Sequence, residues 1–85
     1  MKYKIAVTRS AQKDINKLNP IIKKRIHKKL EYFINNEDPL KFAVGLAGNE
    51  IGGYRWRVGV FRVIFDIDGD TIVILRVRHR RDAYK

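Results

Sequence analysis

The chain has 85 residues, too few to divide between two hydrophobic cores, so residues 1–85 are expected to form one domain. It has no cysteine, its two histidines His27 and His79 are far apart, and no apolar run reaches signal-peptide or membrane-span length; disulfides, thiolate metal sites and spanning helices are excluded, and a cytoplasmic protein without metal or other cofactor is expected. The formal charge of +10, from 19 basic and 9 acidic residues, attracts polyanions across a Debye length of roughly 8–10 Å, which makes nucleic acid the default partner.

Alternation of Tyr3, Ile5 and Val7 with Lys2, Lys4 and Ala6 predicts a first strand with one apolar side. Thr8 or Ser10 suits the N-cap of a helix in which Ala11, Ile15 and Leu18 fall at helical spacing, until Asn19-Pro20 interrupts it. Pro20 fits the first turn of a second helix, where Ile22, Ile26, Leu30 and Phe33 form one stripe and Lys23, Lys24, Lys28 and Lys29 cover other faces. This helix should end near Asn35-Asn36. Asp38-Pro39, Gly45, Gly48 and Gly52-Gly53 then make Glu37 to Gly53 the longest irregular connection.

The last third has the period of two that strands require. Tyr54, Trp56 and Val58 alternate with Arg55 and Arg57, and Phe61, Val63, Phe65 and Ile67 alternate with Arg62, Ile64 and Asp66. Trp56 is read as a core residue on the face of Tyr54 and Val58. After Asp68-Gly69-Asp70 a third strand runs through residues 71–78, with Val73, Leu75 and Val77 in one set and Ile72, Ile74, Arg76 and Arg78 in the other. A two-residue Asp68-Gly69 turn would put Arg76 on the face of Phe61, whereas a three-residue loop puts it beside Arg62. Burying an unpartnered arginine beside phenylalanine costs several kcal/mol, more than the difference between turn types, so the three-residue loop is expected. The predicted fold is α+β: an N-terminal strand, a helical hairpin and a three-stranded antiparallel meander, with the helices on one face of a single four-stranded sheet.

In this register Arg55, Arg57, Arg62, Arg76 and Arg78 project from the face opposite the helices, and Arg80 and Arg81 continue from its edge. The cations segregate by type, lysine dominating the helices while every lysine-or-arginine position from Arg55 to Arg81 is arginine. A guanidinium holds two phosphate oxygens at once, which a lysine point charge does not. Seven like charges on one small surface repel one another unless an anion occupies it. RNA phosphate fits that role, and an acidic protein segment is the alternative.

Gly53-Tyr54-Arg55-Trp56-Arg57-Val58-Gly59, Phe61-Arg62-Val63-Ile64-Phe65 and His79-Arg80-Arg81-Asp82-Ala83-Tyr84 resemble the RelE/ParE toxin family of type II toxin–antitoxin systems, over nearly the whole chain. The resemblance implies a ribosome-dependent endoribonuclease that cleaves mRNA in the A site. It also implies a RelB-like cognate antitoxin in a toxin–antitoxin hetero-oligomer, with no membrane partner. The catalytic residues it implies are Arg55, Arg57, Arg62, Arg80 and Tyr84; the basic face itself makes Arg76, Arg78, His79 and Arg81 the expected further RNA contacts. The archetypal ribonuclease has lysines at the positions of Arg55 and Arg57, and the spacing from Arg80 to Tyr84 is shorter here.

Such cleavage needs a proton acceptor, charge stabilisation at the phosphorane and a proton for the leaving oxygen. Arginine, with a pKa of about 12.5 or more, supplies only charge and position. Two candidates for the proton acceptor remain, Tyr84 as the preferred one and His79 in reserve. Two other readings share the fold: a ParE-like inhibitor of DNA gyrase that cuts no RNA, and a non-catalytic RNA-binding member.

Overall fold

The computed structural model describes residues 3–35, 38–45 and 53–81. Strand β1 (Lys4–Val7) leads into helices α1 (Arg9–Asn16) and α2 (Pro20–Ile34), followed by a 3₁₀ turn (Pro39–Phe42) and a two-residue strand β2 (Val44–Gly45). Strands β3 (Tyr54–Val58), β4 (Phe61–Asp68) and β5 (Thr71–His79) complete it. Both helix starts follow from their caps. Thr8 Oγ1 accepts the Ala11 amide and Asn19 Oδ1 accepts the Ile22 amide, each satisfying a donor that the first helical turn leaves open. Pro20, which has no amide to satisfy, occupies the first turn of α2.

The sheet order is β1-β5-β4-β3-β2. Strand β1 runs parallel to β5, and the other pairings are antiparallel. The four expected strands are therefore present as a mixed sheet, and β2 adds a short rung outside β3. The helices cover one face. From α2, Ile26, Leu30 and Phe33 pack with Trp56, Val58, Val63, Phe65, Ile72, Ile74 and Val77, all buried. Trp56 is the centre of this core: its ring lies 4.7 Å from that of Phe33 and 4.0 Å from that of Phe65. Its indole N–H donates to the Pro39 carbonyl at 3.1 Å, so the one polar atom of the largest core residue is satisfied.

The β4–β5 connection differs from the expected three-residue loop. Asp68 pairs with Thr71 across a two-residue turn, Gly69-Asp70, and an irregularity between Ile64 and Phe65 shifts the register farther along. Phe65 pairs with Ile74 and Ile64 with Arg76, which leaves Leu75 as the extra residue of a bulge. The bulge resolves the conflict that motivated the loop. Ile72 and Ile74 face the helices near the turn, Val77 faces them beyond it, and Arg76 and Arg78 stay on the opposite face. Arg76 consequently lies opposite Ile64, and it is Arg78 that lies opposite Arg62. Both tight turns, Gly59-Val60 and Gly69-Asp70, place glycine at the first central position with φ of 61° and 62°, as a II′ hairpin requires.

Candidate active site

On the face away from the helices the ladder sets Arg57, Arg62 and Arg78 side by side across β3, β4 and β5. The next row is Arg55, Ile64 and Arg76. Strand β4, in the middle of the meander, is buried on both faces from Arg62 to Phe65, and Arg62 is only 6% exposed. Arg57 is exposed, whereas Arg55 and Arg78 are half-buried. The central guanidinium thus has restricted freedom, and its neighbours reach further toward solvent. Arg55 Nε is buried and has no hydrogen-bond partner among the described residues.

Arg80 joins this row from the end of β5. Its amide donates to the Val60 carbonyl at 2.6 Å, tying the chain back to the β3–β4 turn. Arg57, Gly59, Val60, Phe61, Arg62 and Arg80 line a cavity of about 230 Å³. Three of the five sequence-predicted catalytic residues, Arg57, Arg62 and Arg80, meet there. Arg55 lies one row away, and Tyr84 lies outside the described residues.

The further RNA contacts separate. Arg78 belongs to the row, and Arg81 is exposed at the end of the chain's last described turn. His79 pairs with Phe61, contacts its ring edge-on at 5.3 Å and therefore sits on the helix side of the sheet. Its Nδ1 accepts the Arg81 amide at 3.0 Å. A neutral ring that makes this bond carries its hydrogen on Nε2.

Arg76 is committed elsewhere. Its Nε and Nη2 reach the two carboxylate oxygens of Asp14 in α1 at 2.8 and 3.1 Å, a bidentate pair. Asp14 also accepts the Val77 amide at 3.0 Å. Strand β1 pairs only with Thr71 to Ile74, so this carboxylate serves the β5 edge where β1 has ended. Burial raises the Asp14 pKa, but hydrogen bonds from Arg76 and Val77 and the charges of Arg76 and Arg78 outweigh it and hold the carboxyl below its ordinary value. Asp66, on the far face of β4, accepts the Gly53 amide at 2.6 Å. Asp14 and Asp66 are thus each occupied with structural bonds.

Sequence reasoning missed Asp14 and the Gly59-Val60 turn as parts of the site. A glycine between two alternating runs was a usable signal for the turn; nothing in the local pattern marks Asp14 as the partner of Arg76, 62 positions away.

A family model described as the ParE toxin of type II toxin–antitoxin systems matches residues 5–84. The chain belongs to that family. The toxin is 33% identical over 89 residues to Toxin RelG of Mycobacterium tuberculosis, covering 100% of this chain and 99% of the relative. It is 31% identical over 83 residues to Toxin RelE3 of Methanocaldococcus jannaschii, covering 95% and 94%. Among solved structures it resembles a chain of the toxin–antitoxin complex RelBE2 from Mycobacterium tuberculosis, with a TM-score of 0.74, 30% identity and coverage of 94% of this chain and 100% of that one. It also resembles a chain of the archaeal RelE–RelB complex from Pyrococcus horikoshii, with a TM-score of 0.73, 25% identity and coverage of 94% and 97%. The toxin is thus related to RelE-named proteins along its whole described length.

Proposed function

We propose that this toxin is an endoribonuclease that cuts mRNA in the ribosomal A site and is silenced by a RelB-like antitoxin bound to it in a hetero-oligomer. The observation that carries the reading is the convergence of Arg57, Arg62 and Arg80 on one small cavity at the end of the sheet. In the reaction the ribose 2′-oxygen attacks the adjacent phosphorus, the bond from phosphorus to the 5′-oxygen breaks, and a 2′,3′-cyclic phosphate and a 5′-hydroxyl result. The 2′-hydroxyl loses a proton and the leaving oxygen gains one. Arg62, restrained by burial, suits the developing phosphorane charge, because a donor that is already placed pays no reorganisation when charge appears. Arg57 and Arg80 line the same cavity, and Arg55, one row away on the same face, adds positive charge beside it. Tyr84 is the proposed base. His79, the alternative base, sits beside Phe61 on the helix side of the sheet rather than in the arginine row.

The test is to incubate the toxin with translating ribosomes and map mRNA ends by primer extension. New A-site ends are expected with wild type, and Arg62→Ala and Tyr84→Phe should abolish or strongly reduce them. Undiminished cutting by both variants would sink the mechanism. The ParE description of the matched family keeps one other reading, inhibition of DNA gyrase without RNA cleavage. Loss of supercoiling activity with intact mRNA would favour it.

A further inference from the structure

We infer that His79 is a positioning residue for Arg80, acting as a latch that sets the turn after β5. The inference rests on the nuclease reading only in giving Arg80 a phosphate to hold. Where β5 ends, two successive amides are fixed from opposite directions. The Arg80 amide is bonded to the Val60 carbonyl of the neighbouring turn, and the Arg81 amide is bonded to the imidazole of His79. The first bond brings Arg80 to the arginine cavity, and the second bends the chain there. A side-chain acceptor bonded to the amide two residues on is the turn that asparagine and aspartate commonly make, here made by a histidine.

The ring that makes this bond is itself held. Phe61 contacts it edge-on with an interplanar angle of 79°, and Phe61 also borders the arginine cavity. One phenylalanine therefore steadies the latch on the helix side of the sheet and lies beside the site it serves. On the other flank His79 shares a groove of about 540 Å³ with Asp14, Lys17, Leu18, Arg76 and Arg78. The bond requires the tautomer with hydrogen on Nε2. A hydrogen on Nδ1 would turn the acceptor into a donor facing another donor and release the turn.

The geometry defines its own rescue. In asparagine Oδ1 hangs from Cγ as Nδ1 does in histidine, so His79→Asn retains the acceptor in place; alanine removes it, and glutamine carries it one bond too far. The experiment compares His79→Asn, His79→Ala and His79→Gln, each with and without Arg80→Ala. The probe is a single-stranded RNA trinucleotide whose 2′-hydroxyls are methylated so that it is not cut. Binding is measured by titration, and exchange of the Arg81 amide by NMR on the free protein. His79→Ala is expected to weaken binding about fivefold, the worth of one hydrogen bond, and to speed Arg81 exchange. Asparagine should restore both, glutamine neither, and in the Arg80→Ala background His79→Ala should change binding no further. Slow Arg81 exchange in His79→Ala, asparagine no better than alanine, or an undiminished effect without Arg80 would each overturn the latch. A wild type that binds the trinucleotide but leaves mRNA uncut would end the nuclease reading alone, since the exchange and binding arms do not use cleavage.

Discussion

Replacing Asp14 with alanine removes the carboxylate that joins α1 to the open part of the β5 edge, and its cost follows from the exposure of the pair. Asp14 is 12% and Arg76 32% exposed at the side chain, with Nε and Oδ2 2.8 Å apart. Breaking a fully buried pair costs about 3–5 kcal/mol, and an exposed pair is worth about 0–1 kcal/mol. This pair lies between those limits and the substitution also strands the Val77 amide, so a loss of about 2 kcal/mol is expected. For a domain of this size that lowers Tm by roughly 8–16 °C. Asp14→Asn, which keeps a neutral acceptor for Val77, should lose about half as much. Urea unfolding followed by circular dichroism measures both, with the midpoint moving and the slope unchanged. A loss under about 0.5 kcal/mol for Asp14→Ala, the range of an ordinary surface change, would refute the reasoning. So would strict additivity with Arg76→Met, because contacting residues should couple.

Because the folded Asp14 carboxyl is held below its usual pKa, its stabilisation is complete above the unfolded value of about 3.9 and fades as pH falls through the lower folded one. Urea midpoints against pH should therefore drop more steeply on acidification in wild type than in Asp14→Asn; parallel curves would contradict the assignment. Gly59→Ala should cost about 1 kcal/mol through the positive φ alone, since an added Cβ meets nothing within 4 Å, and a neutral result would mean the turn is formed otherwise. Trp56→Ala should cost about 3–5 kcal/mol, because the ring is fully buried between Phe33 and Phe65, and retention of a cooperative transition near the wild-type midpoint would contradict that packing. Arg57→Ala should flatten the plot of log affinity for single-stranded RNA against log salt by about 0.7, one phosphate contact; an unchanged slope would remove Arg57 from the interface.

The helices and the apolar face of β3 and β4 were legible because their signals are local: caps, a proline in the first turn, and strict alternation. Residues 71–75 carry no alternation, being apolar or β-branched throughout, so the face that Ile72 and Ile74 occupy is decided elsewhere. It is decided by β1, whose parallel pairing seats Ile5 beside Ile72, and by the core that receives both isoleucines. The arginines beyond then need a bulge to remain on the far face. A choice of loop length alone could reproduce the outcome for Arg76 but not the route to it. At the site the arginine row was readable from composition and period. The diversion of Arg76 to Asp14 was not, because the pair depends on how α1 crosses the sheet and on where β1 stops. His79 was expected as an RNA contact, and its place on the side of Phe61 follows from simple alternation with Arg78.

Trp56 is the chain's one tryptophan, and its indole is enclosed by aromatic rings with its N–H on a backbone carbonyl. The molecule therefore carries a built-in optical reporter in its interior, separated by the thickness of the sheet from the arginine face. Light emitted at the short wavelengths of a shielded indole would report an intact interior, and a shift to longer wavelengths would report water reaching it. Occupation of the arginine face need not disturb that signal, which makes it possible to follow unfolding and anion binding in one sample without labels.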